Sequence, residues 1–354
     1  MMELDDLKDE QDENSRKKEG FYNNSKKNDW KQNFLDINSI DEYIKKEGHK
    51  DLQKFTIIDC IGKGSESLVY KVKFNGSNKI FALKVIKKHK NKINLDELTI
   101  CRRLKHKNLI NTLCYYADKN TQFDYMIMEM GNSNLISFVR KILKRLTISE
   151  TFLCMAAYQT LQGLAYLHRL NIAHLDIKPQ NLIITDFLDI KIIDFSVSMD
   201  YGKYTKDVKL PYVGTTCLMA PEIIKTKRVK KKDMQKIDLF SLGVTIYMLA
   251  FGDFPFNMTR DDSDEEIYQK IKSGWRVEDH YNEFSTNFIE FLNGLLESDI
   301  NKRMTIDEAL NSHFIRGAQI LMNEKENTNN ANCFLSYLIT DHFRSFNEYM
   351  SIKS

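Results

Sequence analysis

Proline is scarce. Pro179, Pro211, Pro221 and Pro255 are all that 354 residues contain, where average usage of about 5% would give several times more; each is read as fixing a turn. Cysteine is present but unpatterned: Cys60, Cys101, Cys114, Cys154, Cys217 and Cys333 include no pair at C-x-x-C spacing. That argues against a disulfide framework or cysteine-based zinc site and points to a reducing compartment, cytoplasmic or nuclear. Charge of one sign is missing too. A net charge of +3 lacks the strongly basic face of a dedicated nucleic-acid binder. There is no uninterrupted apolar run of the ~20 residues that a membrane span needs. The longest, from Asp238 to Asp253, is broken by Ser241, Gly243 and Thr245, and reads as a helix buried in a large domain. The first residues show no apolar h-region, position 2 is not glycine, and the final SIKS is no prenylation box; a leaderless, unlipidated chain is expected.

What is present is enough apolar sequence, 42% hydrophobic with 11% aromatic, to build one large or two ordinary domains. Residues 1–54 are a polar extension. The first 28 have a disordered composition, and Phe34, Ile37, Ile40 and Ile44 place one apolar face on a short helix over 30–46, packed on the domain surface. Residues 55–86 read as strands, FTIIDCIG, LVYKVKF and KIFALKVI, broken by GKGSES and by the turn signal Asn75-Gly76. A helix over Leu95–Leu104 and strands near 110–117 and 123–129 follow, and from 147 onward the period is helical. Residues 317–354 combine NEKENTNNAN with an apolar, aromatic segment and read as a docked helix, since so many aromatics would not sit in water.

Five segments carry chemistry. In IGKGSESLVY, Gly62 and Gly64 form a turn between strands through which backbone amides could approach phosphate oxygens; Ser67 stands where a third glycine would. In FALKVI, Lys84 lies inside an apolar strand and needs an anion, either Glu97 on the next helix or a bound phosphate, unless it snorkels from an edge strand. HLDIKPQN brings a carboxylate, an ammonium and an amide together at Asp176, Lys178 and Asn181, and Asp194 follows the strand KII. Carboxylate and amide oxygens suit Mg²⁺, with phosphate oxygens as its other ligands. GTTCLMAPE ends on Glu222, which alone reads as a solvated acid, and Arg303 lies in NKRMT.

In this order and spacing the segments resemble the eukaryotic protein kinase family, serine/threonine type, over roughly residues 55–316. The resemblance implies an α+β, bilobal protein kinase fold: a small β-rich N-lobe (55–129) with one main helix, a hinge at 129–132, and a larger helical C-lobe (133–316). It also implies an enzyme using ATP and Mg²⁺, with Mn²⁺ as a substitute, on protein substrates, acting as a monomer without nucleic-acid or membrane partners. Ile61, Gly62, Lys63 and Gly64 would cover the phosphates. Val69 and Ala82 would lie above the adenine and Ile183 below it. Lys84 would hold phosphate and pair with Glu97, Met128 would be the gatekeeper, and the backbone of Glu129 and Gly131 would meet the adenine edge. Asp176 would be the base, Lys178 would neutralise the transferring group, and Asn181 and Asp194 would bind metal. Lys178 and Thr215 resemble the serine/threonine branch. Glu222 would pair with Arg303, and Asp238 would hold the catalytic-loop backbone.

The pattern is departed from at three further places. Leu175 replaces the arginine that clasps an activation-segment phosphate, so activity independent of that phosphate is expected. Ser196 replaces a glycine, with an expected backbone cost that biases Phe195. Gln180 replaces a glutamate common in kinases preferring basic peptides, and the basic run KTKRVKKKDMQK at 225–236 reads first as a solvated loop, with acidic or pre-phosphorylated substrates the second reading and a nuclear address the third. Ser67 and Ser196 admit a pseudokinase, against which stands the retention of Lys84, Glu97, Asp176, Lys178, Asn181 and Asp194. A small-molecule kinase is disfavoured by the MAPE segment.

Overall fold

A computed structural model describes residues 37–47, 50–64, 66–88, 95–117, 122–143, 148–210, 216–259, 261–275 and 284–318. The expected tail helix beyond 318, the helical positions 30–36 and Thr215 lie outside these residues. The chain divides into two compact units: an amino-terminal one ending at Leu104 and resuming over Ile110–Met130, and a carboxy-terminal one made of Lys105–Leu109 and everything from Gly131.

The amino-terminal unit opens with helix α1 (Ile37–Glu47) and a 3-10 turn at Lys50–Lys54. A five-stranded antiparallel sheet follows, β1 (Phe55–Lys63), β2 (Ser67–Phe74), β3 (Ile80–Lys87), β4 (Thr112–Ala117) and β5 (Phe123–Glu129), in the order β1-β2-β3-β5-β4, with α2 (Leu95–Arg103) inserted after β3. The β1–β2 ladder slips register between Cys60 and Gly62, and Gly76 takes φ +80° in the β2–β3 turn, where a side chain would be strained. Alternation along the strands gives the sheet two faces. One carries Leu68, Tyr70, Val72, Leu83, Val85, Phe123, Tyr125 and Ile127, all buried and clustered with Ile40, Ile44 and Leu52. Tyr43 of α1 sets its ring edge-on to Phe123, centroids 5.5 Å apart. The apolar stripe of α1 thus helps to build the core of the sheet rather than merely resting on a finished surface: Ile40 is fully buried. The other face carries Val69, Ala82 and Lys84.

The carboxy-terminal unit contains β6 (Ser133–Asn134), α3 (Leu135–Leu143), α4 (Glu150–Arg169), β7 (Ile172–Ala173), β8 (Leu182–Ile184), β9 (Ile190–Ile192), β10 (Met199–Asp200), β11 (Asp207–Lys209), α5 (Pro221–Thr226), β12 (Arg228–Lys230), α6 (Gln235–Phe251), α7 (Asp264–Ser273), α8 (Thr286–Leu296) and α9 (Ile306–Leu310). Side-chain caps from Ser149, Ser263, Ser285 and Thr305 start α4, α7, α8 and α9, each satisfying an amide that the helix leaves open. Among the described residues one helical stretch, Lys231–Phe251, is long and apolar enough to cross a membrane, but 78% of its window is buried inside the protein. It is a core helix. Gly243 permits its close approach to α8, since a Cβ there would lie 2.9 Å from Leu295 Cβ.

Candidate functional site

In the amino-terminal unit the pairing register aligns Gly62 with Val69, Val69 with Lys84 and Lys84 with Met126. Directly paired residues share a face, so these positions form one row across the sheet, and Ala82 and Met128, paired with each other, lie on that face two residues along. At Gly62 a Cβ would make a tight contact, 3.3 Å from Val69 Cβ. Gly64 closes the turn by donating to Ser67 O at 2.9 Å, and a Cβ on it would strike Ser67 Oγ at 2.7 Å. Ile61 and Lys63 are exposed on the same strand end. Lys84 is buried and does not snorkel; its Nζ donates to Glu97 Oε1 at 2.6 Å, with side chains 6% and 5% exposed. Glu129 donates its N–H to Asn111 O at 3.0 Å and accepts the Asn111 N–H at a carboxylate oxygen at 2.7 Å.

In the carboxy-terminal unit the segment between β7 and β8 folds back on itself. Asp176 Oδ2 accepts from Lys178 Nζ at 2.9 Å and from Asn181 Nδ2 at 2.8 Å, and Asn181 Nδ2 also donates to Asp176 O at 2.9 Å. That leaves Oδ1 of Asp176 as an open acceptor and the amide oxygen of Asn181 as the oxygen it can offer a cation. Burial pushes the Asp176 carboxyl above the ordinary aspartate range; Lys178 opposes the shift and Asp194 adds to it. Ile193 N donates to Asn181 O at 2.9 Å, which ties the end of β9 to this segment and brings Asp194 alongside. Asp194 sits in the left-handed region at φ +64°, which aspartate tolerates better than most residues. Ser196 has no positive φ. The backbone cost expected of replacing glycine there is therefore absent, because the unusual angle falls on Asp194 instead. Phe195 is buried, with its ring edge-on to His174.

The loop is anchored from α6. Asp238, fully buried, accepts from His174 N at 2.9 Å, Leu175 N at 2.8 Å and His168 Nε2 at 2.8 Å. Burial alone would raise its pKa, but the hydrogen bonds and charge of His168 and His174 more than offset this and hold the carboxyl below its usual range. His168, on α4, went unnoticed in the sequence; its one signal is an imidazole within an otherwise apolar helical stretch. Leu175 is held at φ +66°. Arg303, also fully buried, donates bidentately to Glu222 at 2.7 and 2.9 Å and to the carbonyls of Glu297 and Lys236, so Glu222 is no loose surface acid.

Two observations test the fit to a magnesium nucleotide. A Cβ on Gly131 would stand 2.5 Å from Ile183 Cδ1, so the chain passes flat over the apolar side chain expected beneath an adenine. The oxygen donors, one amide and one carboxylate, are the hard ligands Mg²⁺ takes when phosphates supply the rest. Among the described residues no group of three or more His, Cys, Asp or Glu is placed to hold a metal alone.

Comparison with known proteins agrees. The protein kinase domain model matches residues 55–315. The chain is 29% identical over 285 residues to serine/threonine-protein kinase dst2 of Dictyostelium discoideum, covering 79% of this chain and 24% of that protein. It is 30% identical over 302 residues to probable serine/threonine-protein kinase fhkC of the same organism, covering 81% and 48%. The chain thus spans less than half the length of these relatives. By the extent of the family match and the fold that carries it, this chain belongs to the protein kinase domain family.

Proposed function

We propose that the chain is a serine/threonine protein kinase, moving the γ-phosphoryl group of ATP onto serine or threonine hydroxyls of proteins. The arrangement of Asp176 carries this reading: a carboxylate pinned at one oxygen by Lys178 and Asn181 and open at the other. Bound magnesium ATP would supply the phosphoryl group and the charge neutralisation that phosphoryl transfer demands. The chain's residues supply the rest. Asp176 Oδ1 accepts the proton of the substrate hydroxyl, and its raised affinity for protons suits that task. Lys178 places a positive charge beside the position where negative charge develops. Asn181 and Asp194 would hold the metal, and Lys84, oriented by Glu97, would clamp phosphate. Asp238 fixes the loop backbone, so the loop's own groups need no assembly during reaction. Both relatives are named as serine/threonine-protein kinases, one of them as a probable one, which supports the hydroxyl class. A pseudokinase reading finds no support in any displaced or missing side chain of this set.

Leu175 supplies no guanidinium for an activation-segment phosphate. The segment's hydrogen bonds, Tyr201 N to Asn171 O at 2.8 Å and Tyr201 Oη to His168 O at 3.3 Å, need no phosphate. Activity after phosphatase treatment supports the phosphate-independent reading, and near-total loss refutes it.

The direct test incubates the full chain with γ-labelled ATP, magnesium and a generic acceptor protein. Label on serine and threonine, lost in Asp176→Asn, is expected. Label mainly on tyrosine, or equal transfer by Asp176→Asn, overturns the reading.

A further inference from the structure

The basic run that begins at the end of α5 is not a solvated loop. Its central residues form β12, paired antiparallel to β11 with Asp207 opposite Lys230, Val208 opposite Val229 and Lys209 opposite Arg228. Val208 and Val229 are buried, so the ribbon has a fixed inner side and its charged residues share the outer one. Further bonds continue the register, from Leu210 N to Lys227 O at 2.9 Å and from Lys231 N to Lys206 O at 2.8 Å, and Lys231 Nζ reaches Gly202 O at 2.9 Å. The outer side is electrostatically unfavourable. Like charges directly opposite each other destabilise an antiparallel pair, yet Lys209 faces Arg228. Lys206, Lys230 and Lys232 are exposed nearby, and among the described residues none of these five cations has an ion-pair partner. Asp207 is the lone acid within the two strands. The ribbon runs directly out of α5, whose Glu222 is locked to Arg303, so its position in this unit is fixed.

We infer that the β11–β12 ribbon is a docking surface for an acidic segment of the protein substrate, Lys209 and Arg228 at its centre. This deepens the kinase reading and rests on it. A cross-strand pair of cations is relieved when carboxylates lie over it, and a patch fixed by backbone pairing loses little freedom when it binds. Among the described residues, the outward positions of β11 and β12 are all charged and contribute no aromatic stacking platform and no apolar wedge.

The experiment uses the full chain and two serine-acceptor peptides differing only in whether Asp/Glu or Asn/Gln flank the acceptor. Peptide binding is read by fluorescence anisotropy, and steady-state kinetics run in parallel. At low ionic strength the acidic peptide should bind about tenfold more tightly, given several weak surface pairs acting together, and show a correspondingly lower KM with similar kcat. Salt near 0.5 M should erase most of the difference, with a screening length of about 4 Å. Lys209→Glu is the decisive variant. It replaces the cation pair by an opposite-charge pair with Arg228, so the ribbon itself is kept, yet the preference should fall to about twofold or less. The exchange Lys209→Arg with Arg228→Lys should keep it. Equal binding of both peptides to the unaltered chain, or an unchanged ratio in Lys209→Glu, overturns the inference. So does a Lys209→Glu effect confined to anionic vesicles or an oligonucleotide. Binding that behaves as expected in a chain that transfers no phosphate would sink the kinase reading and leave docking standing.

Discussion

Lys84–Glu97 in the amino-terminal unit and Arg303–Glu222 in the carboxy-terminal one are both buried ion pairs between distant segments, and the two differ in design. Lys84 donates to one oxygen of Glu97. Arg303 holds both oxygens of Glu222, two backbone carbonyls and the face of the Phe240 ring, 4.9 Å away. A guanidinium fork spends its donors in a fixed geometry, whereas an ammonium is a compact charge whose donors can turn to a second anion. Arg303–Glu222 is therefore built as a fastener. Lys84–Glu97, in the row of Gly62 and Val69 on one sheet face, is built as a holder for a cation that has further work to do.

Substitutions that touch chemistry should give the largest effects. Asp176→Asn should lower the transfer rate by about 10²–10⁴-fold, as expected for a lost general base, while the melting temperature stays close to that of the parent. Lys84→Arg should split the same way, folded but with transfer down by about 10²-fold or more, because a fork does not replace a point charge at a phosphate. The fastener should behave oppositely. Arg303→Leu leaves Glu222 without its partner and should cost about 3–5 kcal/mol of stability by denaturant unfolding, and Arg303→Lys should not restore it. A variant of Arg303 that unfolds normally but fails only in catalysis would erase the contrast.

Next in size is the sheet support. Ile44→Ala removes a side chain that is 4% exposed in the core shared by α1 and the sheet, and should cost about 2–4 kcal/mol. A cost below about 0.5 kcal/mol, the level of a surface change, would return α1 to the status of a loosely attached extension.

The apolar alternation of β1 to β5, the helical stripe of α1 and the buried character of α6 are all local signals, and they are legible in the sequence. So was the lysine inside FALKVI, because a charge in an apolar strand demands a partner. The β11–β12 ribbon was not legible. Each strand offers a single valine among charges, and its pairing joins residues 207–209 to 228–230, a contact no local pattern announces. Nor was the backbone angle around Asp194: the sequence displays a missing glycine at position 196, while the structure puts the positive φ two residues earlier. That α1 would enter the core, and not only cover it, depends on which sheet face was left apolar, again a non-local fact.

Proton linkage separates two carboxylates of the carboxy-terminal unit. Burial raises Asp176 and the histidine contacts lower Asp238, against its burial. If Asp176 is the base, it must be ionised, and the acid limb of the rate profile should lie above the ordinary aspartate pKa; Lys178→Ala should then move it higher and Asp194→Asn lower, in whatever residual activity remains. For stability the signs are opposed. Asp176 favours folding when protonated and costs stability as pH rises from the unfolded value through its raised folded one. Asp238 contributes stability above the unfolded value, lost as pH falls through its depressed folded one. Asp238→Asn should therefore flatten the acid side of the stability curve.

The smallest effect sits at the anchor itself. Leu175 occupies φ +66° with its N–H bound to Asp238 Oδ1 at 2.8 Å. A left-handed conformation costs an ordinary residue roughly 1–2 kcal/mol, and here the fully buried carboxylate of Asp238 holds the backbone in it. Asparagine adopts this region more readily. Leu175→Asn should therefore match the parent or gain up to about 1 kcal/mol in denaturant unfolding, with transfer rate within about twofold. Arginine at the same position offers a second comparison: it keeps the strain and adds a guanidinium. If the activation segment is held without phosphate, Leu175→Arg should change neither the rate nor its resistance to phosphatase. A Leu175→Arg chain that becomes dependent on phosphate would show that the identity of this one side chain, and not the hydrogen bonding around Tyr201, decides how the segment is held.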